Sequence, residues 1–107
     1  MIAISHLPKL EYLWLTQNHL EVLPSEIKYC KTLKKLDLQN NRLVTLPPEI
    51  SELKNLEVLY LRGNQITDLP EEVKFLRLKK IDLANNNISA ENKKKIKILL
   101  PNTEIVF

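Results

Sequence analysis

The chain repeats itself, and that limits what it can become more than any other feature does. Residues 10–20, 33–43, 56–66 and 78–88 read LEYLWLTQNHL, LKKLDLQNNRL, LEVLYLRGNQI and LKKIDLANNNI, one pattern of L-x-x-L-x-L-x-x-N-x-L whose starts lie 23, 23 and 22 residues apart. Three copies lead into a second shared phrase, LPSEI (23–27), LPPEI (46–50) and LPEEV (69–73), with Cys30, Leu53 and Leu76 three residues further on. Units of this size cannot bury an apolar face alone, so they stack on one another into a solenoid. The closing positions of L-x-x-L-x-L alternate apolar and variable, which is strand periodicity, so Leu13 and Leu15 face inward and Trp14 faces out. Successive parallel strands need a returning crossover. Here that is the LP-x-E-I segment, whose proline and lack of sustained helical period favour extended or 3₁₀ backbone.

On these phrases the sequence resembles the leucine-rich repeat family, over residues 4–88 directly, and most of all the short proteins of the spirochaete Leptospira with LP-x-E-I repeats of 23 residues. The resemblance implies an α/β fold, a right-handed curved coil with a parallel concave sheet and a thin convex side of 3₁₀ and extended segments. It also implies a segment that binds other macromolecules, and for the spirochaetal group a role in host interaction. The whole of 1–107 reads as one domain, with a partial repeat at 1–9, repeats at 10–32, 33–55, 56–77 and 78–88, and a C-terminal cap at 89–107. One domain is also what 107 residues accommodate.

Both ends of the repeat array carry expectations. Aligned backward from Leu10, Ile4 takes the slot of Ile27 and Ile50, and Leu7 that of Cys30 and Leu53, so the chain begins in mid-repeat. Three readings stay open for the first strand: a fragment of a longer array, a frayed end, or an edge between Ile2 and Leu10 covered by a second copy in a homo-oligomer. Past Ile88 the register fails at Glu91. Ser89 is placed to cap a helix starting near Ala90, with Ile96, Leu99 and Leu100 at helical spacing over the last core and Pro101 ending it. Thr103 to Phe107 alternates again, which predicts a fifth strand with Ile105 and Phe107 inward. The cap is therefore a helix followed by a strand.

Composition narrows the chemistry. Gly63 is the only glycine, which excludes a P-loop and a dinucleotide fingerprint, and no cofactor is expected. Cys30 is the only cysteine, so no intramolecular disulfide forms. Residues 1–20 show no signal-peptide pattern, and no stretch of the chain reads as a membrane span. The net charge of +3 sits in Lys93, Lys94, Lys95 and Lys97 against Glu91, with the remaining charges in balance. That places it on the solvated side of the cap rather than along a groove, so no nucleic-acid partner is expected.

The asparagines Asn18, Asn41, Asn64 and Asn86 stand where each chain leaves its strand and turns inward, and their amides suit a structural ladder better than an oxyanion hole. Function is therefore sought at the outward strand positions. The middle row reads Trp14, Asp37, Tyr60 and Asp82; two residues earlier stand Tyr12, Lys35, Val58 and Lys80, and two residues later Thr16, Gln39, Arg62 and Ala84. Three of six aromatics lie on this face. Tyr12, Trp14, Tyr60 and Arg62 are the predicted anchors for a protein or peptide ligand, with Lys35, Asp37, Lys80 and Asp82 setting charge complementarity. An enzyme would have to rest on Asp37 and Asp82, two strands or about 9.6 Å apart. An open sheet gives them no dry pocket, and Lys35 and Lys80, two residues earlier on the same strands, are expected to neutralise them. Cys30, His6 and His19 form no nucleophilic or metal-binding cluster, so no catalytic and no metal site is expected.

Overall fold

In the computed structural model, which describes residues 9–107, the four repeats lay down four short strands side by side: β1 (Tyr12–Trp14), β2 (Lys35–Asp37), β3 (Val58–Tyr60) and β4 (Lys80–Asp82). A fifth, β5 (Glu104–Val106), completes a parallel sheet in the order β1-β2-β3-β4-β5. The register repeats without a slip. Tyr12, Lys35, Val58, Lys80 and Glu104 form one row, and Trp14, Asp37, Tyr60, Asp82 and Val106 the next. Beyond the three-residue strands the ladder continues, with Leu15 N donating to Asp37 O at 2.8 Å, Leu38 N to Tyr60 O at 2.9 Å and Leu61 N to Asp82 O at 2.8 Å.

The LP-x-E-I phrases return the chain as 3₁₀ turns over Ser25–Tyr29, Pro48–Glu52 and Glu71–Phe75. Each is entered through a proline (Pro24, Pro47, Pro70) in extended conformation whose carbonyl accepts from the amide of Ile27, Ile50 or Val73. Those three side chains, with Cys30, Leu53 and Leu76, join the strand residues Leu36, Leu59 and Ile81 in one continuous core. Burial pushes the Cys30 thiol above its ordinary pKa, because the thiolate would lose its water. Among the described residues no buried side-chain nitrogen or oxygen lacks a hydrogen-bond partner.

The C-terminal cap forms as its residues predict. Ser89 Oγ accepts from Asn92 N at 3.1 Å at the start of α1 (Ala90–Leu99), and the helix ends just before Pro101. Ile96 and Leu100 are buried, and Leu99, Ile105 and Phe107 are half-buried against the same core. Thr103 Oγ1 donates to Leu78 O at 2.8 Å, tying the approach of β5 to the last repeat. The helix lysines divide: Lys95 pairs with Asp68 at 3.1 Å, Lys93 and Lys97 stand 5.4 and 5.8 Å from the Phe107 ring centre, and Lys94 is exposed. The expected slots of Ile4 and Leu7, and the edge reading from Ile2, lie outside the described residues. Among the described residues no helix is long and apolar enough to cross a membrane.

Candidate functional site

The outward face of the sheet is built by a rule simple enough to read off the strands. Because side chains alternate, every strand that buries its central leucine or isoleucine must present its two flanking residues on the opposite, concave face. This brings Tyr12, Trp14, Lys35, Asp37, Tyr60, Lys80 and Asp82 together on one surface, with Arg62 just beyond β3. All eight candidate residues therefore share a face, but they do not play equivalent parts on it.

Trp14 is 68% exposed, and its ring lies 4.6 Å from that of Tyr12, tilted by 58°. The pair forms an aromatic ledge on β1. Lys35, on the next strand, extends towards this ledge with Nζ 5.7 Å from the Tyr12 ring centre, a cation over a ring face. Tyr60, half-buried, stands two strands from Trp14 in the same row, with Asp37 between them.

The charges depart from expectation. Asp37 and Asp82 are buried, at 6% and 8% exposure, and neither pairs with the lysine two residues before it. Asp82 is held by Arg62, Nε to Oδ2 at 3.0 Å, and Lys80 reaches Glu104 of β5 at 3.9 Å. Asp37 instead accepts from Gln39, its backbone N at 3.1 Å and its Nε2 at 3.0 and 3.1 Å. Lys80 pairs straight across the sheet, where the neighbouring strand is only about 4.8 Å away, while both aspartates take their partners from strand exits, where Gln39 and Arg62 stand. Gln39 and Glu104 thus belong to the surface although neither was singled out from sequence. Gln39 was legible there, since it shares a row with Arg62, but Glu104 needed β5 to be placed in register.

The asparagines behave as a ladder. Asn41 Oδ1 accepts from Asn18 N and Leu20 N, while its Nδ2 donates to Leu15 O in the preceding repeat and Leu38 O in its own. Asn64 and Asn86 repeat the arrangement one and two repeats later. Asn18 is exposed and its amide donates to Thr16 O. In Asn41, Asn64 and Asn86 both the amide oxygen and the amide nitrogen are engaged in holding the backbone. Among the described residues no three histidine, cysteine, aspartate or glutamate side chains are grouped to hold a metal ion.

Residues 31–88 match the family model for the Leucine rich repeat, and residues 9–30 match a second Leucine Rich Repeat model. No curated protein matches the chain. Among solved structures it is similar to an LRR protein of Leptospira interrogans, at 44% identity and a TM-score of 0.94, over 97% of this chain and 27% of that one. It is also similar to a chain in the Drosophila melanogaster SNF/U2A′ complex, at 22% identity and a TM-score of 0.73, over 94% of this chain and 61% of that one, a likeness of fold. The chain thus spans about a quarter of the length of the Leptospira protein. With the period, the asparagine ladder, the parallel sheet and these matches in agreement, the chain belongs to the leucine-rich repeat family.

Proposed function

We propose that the chain is a non-catalytic binding module that seats a peptide, or a small patch of a partner protein, on its concave sheet. Leucine-rich repeats commonly mediate protein–protein interaction, and proteins of the family are typically binding modules rather than catalysts. The observation that carries the reading here is the aromatic ledge: a tryptophan left largely exposed on the sheet, packed at a tilt against Tyr12 and followed by Tyr60 in its own row. Tryptophan, tyrosine and arginine contribute most at interfaces because they combine a large apolar area with a polar handle. Rigidity adds to this, since side chains held by a paired sheet lose little further freedom on binding.

Tyr12, Trp14 and Tyr60 are the apolar anchors. Arg62 and Asp82 neutralise each other, as do Lys80 and Glu104, so these pairs mark out polar ground beside the anchors. Lys35 and Asp37 carry the charge left for a partner. The face measures roughly a few hundred Å² from five strands at about 4.8 Å spacing, below the about 800 Å² per partner of a stable protein complex. A short peptide is the ligand that fits this area.

The test is selection of binding peptides from a displayed random library on the immobilised chain, followed by mapping of amide shifts. Bound peptides are expected to shift residues of β1 to β3, and Trp14→Ala with Tyr60→Ala to weaken them by about tenfold or more, with circular dichroism unchanged. Peptides that map to the 3₁₀ side, or that bind the double variant as well as the parent, would sink the proposal.

A further inference from the structure

The two aspartates of the concave face allow a comparison inside one molecule. Asp37 and Asp82 occupy the same row, two strands apart, and both turn Oδ1 towards the backbone N two residues on, Gln39 N and Ala84 N, each at 3.1 Å. Their second oxygens differ. Asp82 Oδ2 receives the guanidinium of Arg62, which stands on the preceding strand's exit, diagonally across from it. The residue in that diagonal position for Asp37 is Thr16, exposed, uncharged and too short to reach. Among the described residues Asp37 Oδ2 is met only by the neutral side-chain amide of Gln39, at 3.1 Å. Among the described residues no lysine, arginine or histidine nitrogen forms an ion pair with Asp37, although as a residue it is as buried as Asp82.

We infer that Asp37 is the receptor for an arginine side chain of the bound partner, seated over Thr16 between Trp14 and Tyr60 as Arg62 is seated on Asp82. The chain itself shows that this row position takes a guanidinium at hydrogen-bond distance. What surrounds Asp37 also favours arginine over lysine. A planar guanidinium stacks on an aromatic face while its N–H groups reach a carboxylate, and Trp14 offers such a face on the strand beside Asp37. Lys35, the one cation close by on its strand, is drawn aside over the Tyr12 ring. On binding, Gln39 Nε2 gives up Oδ2, while Gln39 N keeps its bond to Oδ1. A buried carboxylate flanked by aromatic rings is screened little by salt ions, so the pairing is less sensitive to ionic strength than one at an open surface.

This inference rests on the concave-face reading and specifies what it recognises. Trp14 is the only tryptophan in the chain, so its fluorescence reports on this place alone. Titration of the full chain with N-acetyl-arginine amide is expected to give a saturable change in Trp14 emission, with amide shifts at Trp14, Asp37, Gln39 and Tyr60. The citrulline analogue, equal in shape and uncharged, is expected to bind about tenfold more weakly or worse. Thr16→Arg, at an exposed position, places a guanidinium on Asp37 from within and is expected to abolish the response while the chain stays folded. Equal responses to the two probes, or a response undiminished in Thr16→Arg, would overturn it. The two readings fail separately: selected peptides that need Trp14 and Tyr60 but tolerate citrulline for every arginine would remove the arginine receptor and leave the binding face standing.

Discussion

At the exit of each of the first four strands the residue before the ladder asparagine adopts left-handed backbone: Gln17, Asn40, Gly63 and Asn85, with φ of 55°, 58°, 75° and 56°; after β1 His19 does so too, at 57°. The strand ends there, yet the amide must still reach the next repeat, as Gln17 N does to Gln39 O at 3.1 Å, Asn40 N to Arg62 O at 2.9 Å and Gly63 N to Ala84 O at 3.0 Å. Asparagine and glycine tolerate this conformation and glutamine does so poorly. A Cβ on Gly63 would in addition run into Asn40 Oδ1. Gly63→Ala is therefore expected to lower the unfolding free energy by about 1–2 kcal/mol, and Gln17→Asn to raise it by about 0.5 kcal/mol, both read from urea denaturation midpoints. An unchanged midpoint in Gly63→Ala would mean that the turn relaxes freely. In the sequence these positions are only the variable residues before the ladder asparagines, since a backbone angle leaves just a faint preference in residue type. The pairing of the aspartates was hidden for a related reason: the strand pattern assigns a residue to a face, but its partner depends on which neighbours lie nearest across the sheet.

Between elements, the asparagines carry the coupling of one repeat to the next. Asn64 is buried, and its Oδ1 accepts from Leu43 N at 3.0 Å while Nδ2 donates to Leu38 O and Leu61 O. Removing that amide strands groups which water cannot reach, at about 1–3 kcal/mol for each one left unsatisfied. Asn64→Ala is expected to cost about 3 kcal/mol, whereas Asn18→Ala, on an exposed side chain, should cost less than about 0.5 kcal/mol. Chemical denaturation of the two variants checks the contrast, and similar losses would contradict the ladder as the source of stability. This part of the fold was legible in advance because an asparagine recurring in phase with buried leucines has few uses other than satisfying backbone. The helix of the cap was legible as well: Ser89 and Pro101 are local signals, acting within a turn of where they stand.

Over the whole molecule, each repeat touches its neighbours alone, so stability is the sum of repeat units and their interfaces. The cap then bears on everything before it. The cap covers the last repeat with Ile96 of α1 and Leu100 just beyond it, both buried, and burying two such side chains contributes about 3–6 kcal/mol, a large share of a small domain's stability. A chain ending at Ile88 exposes that core and the edge of β4, and is expected to lose its cooperative unfolding transition and to self-associate in light scattering. A truncated chain that stays monomeric with the parent's midpoint would show the cap to be dispensable. Period, strand faces, 3₁₀ returns, ladder and cap all follow from the order of residues, because each is set by contacts within one repeat or between equivalent positions of two. The partners of the charges do not follow from it. That Arg62 rather than Lys80 holds Asp82, that Glu104 answers Lys80, and that Asp37 is left to Gln39 depend on distances across the folded sheet, which no spacing along the chain specifies.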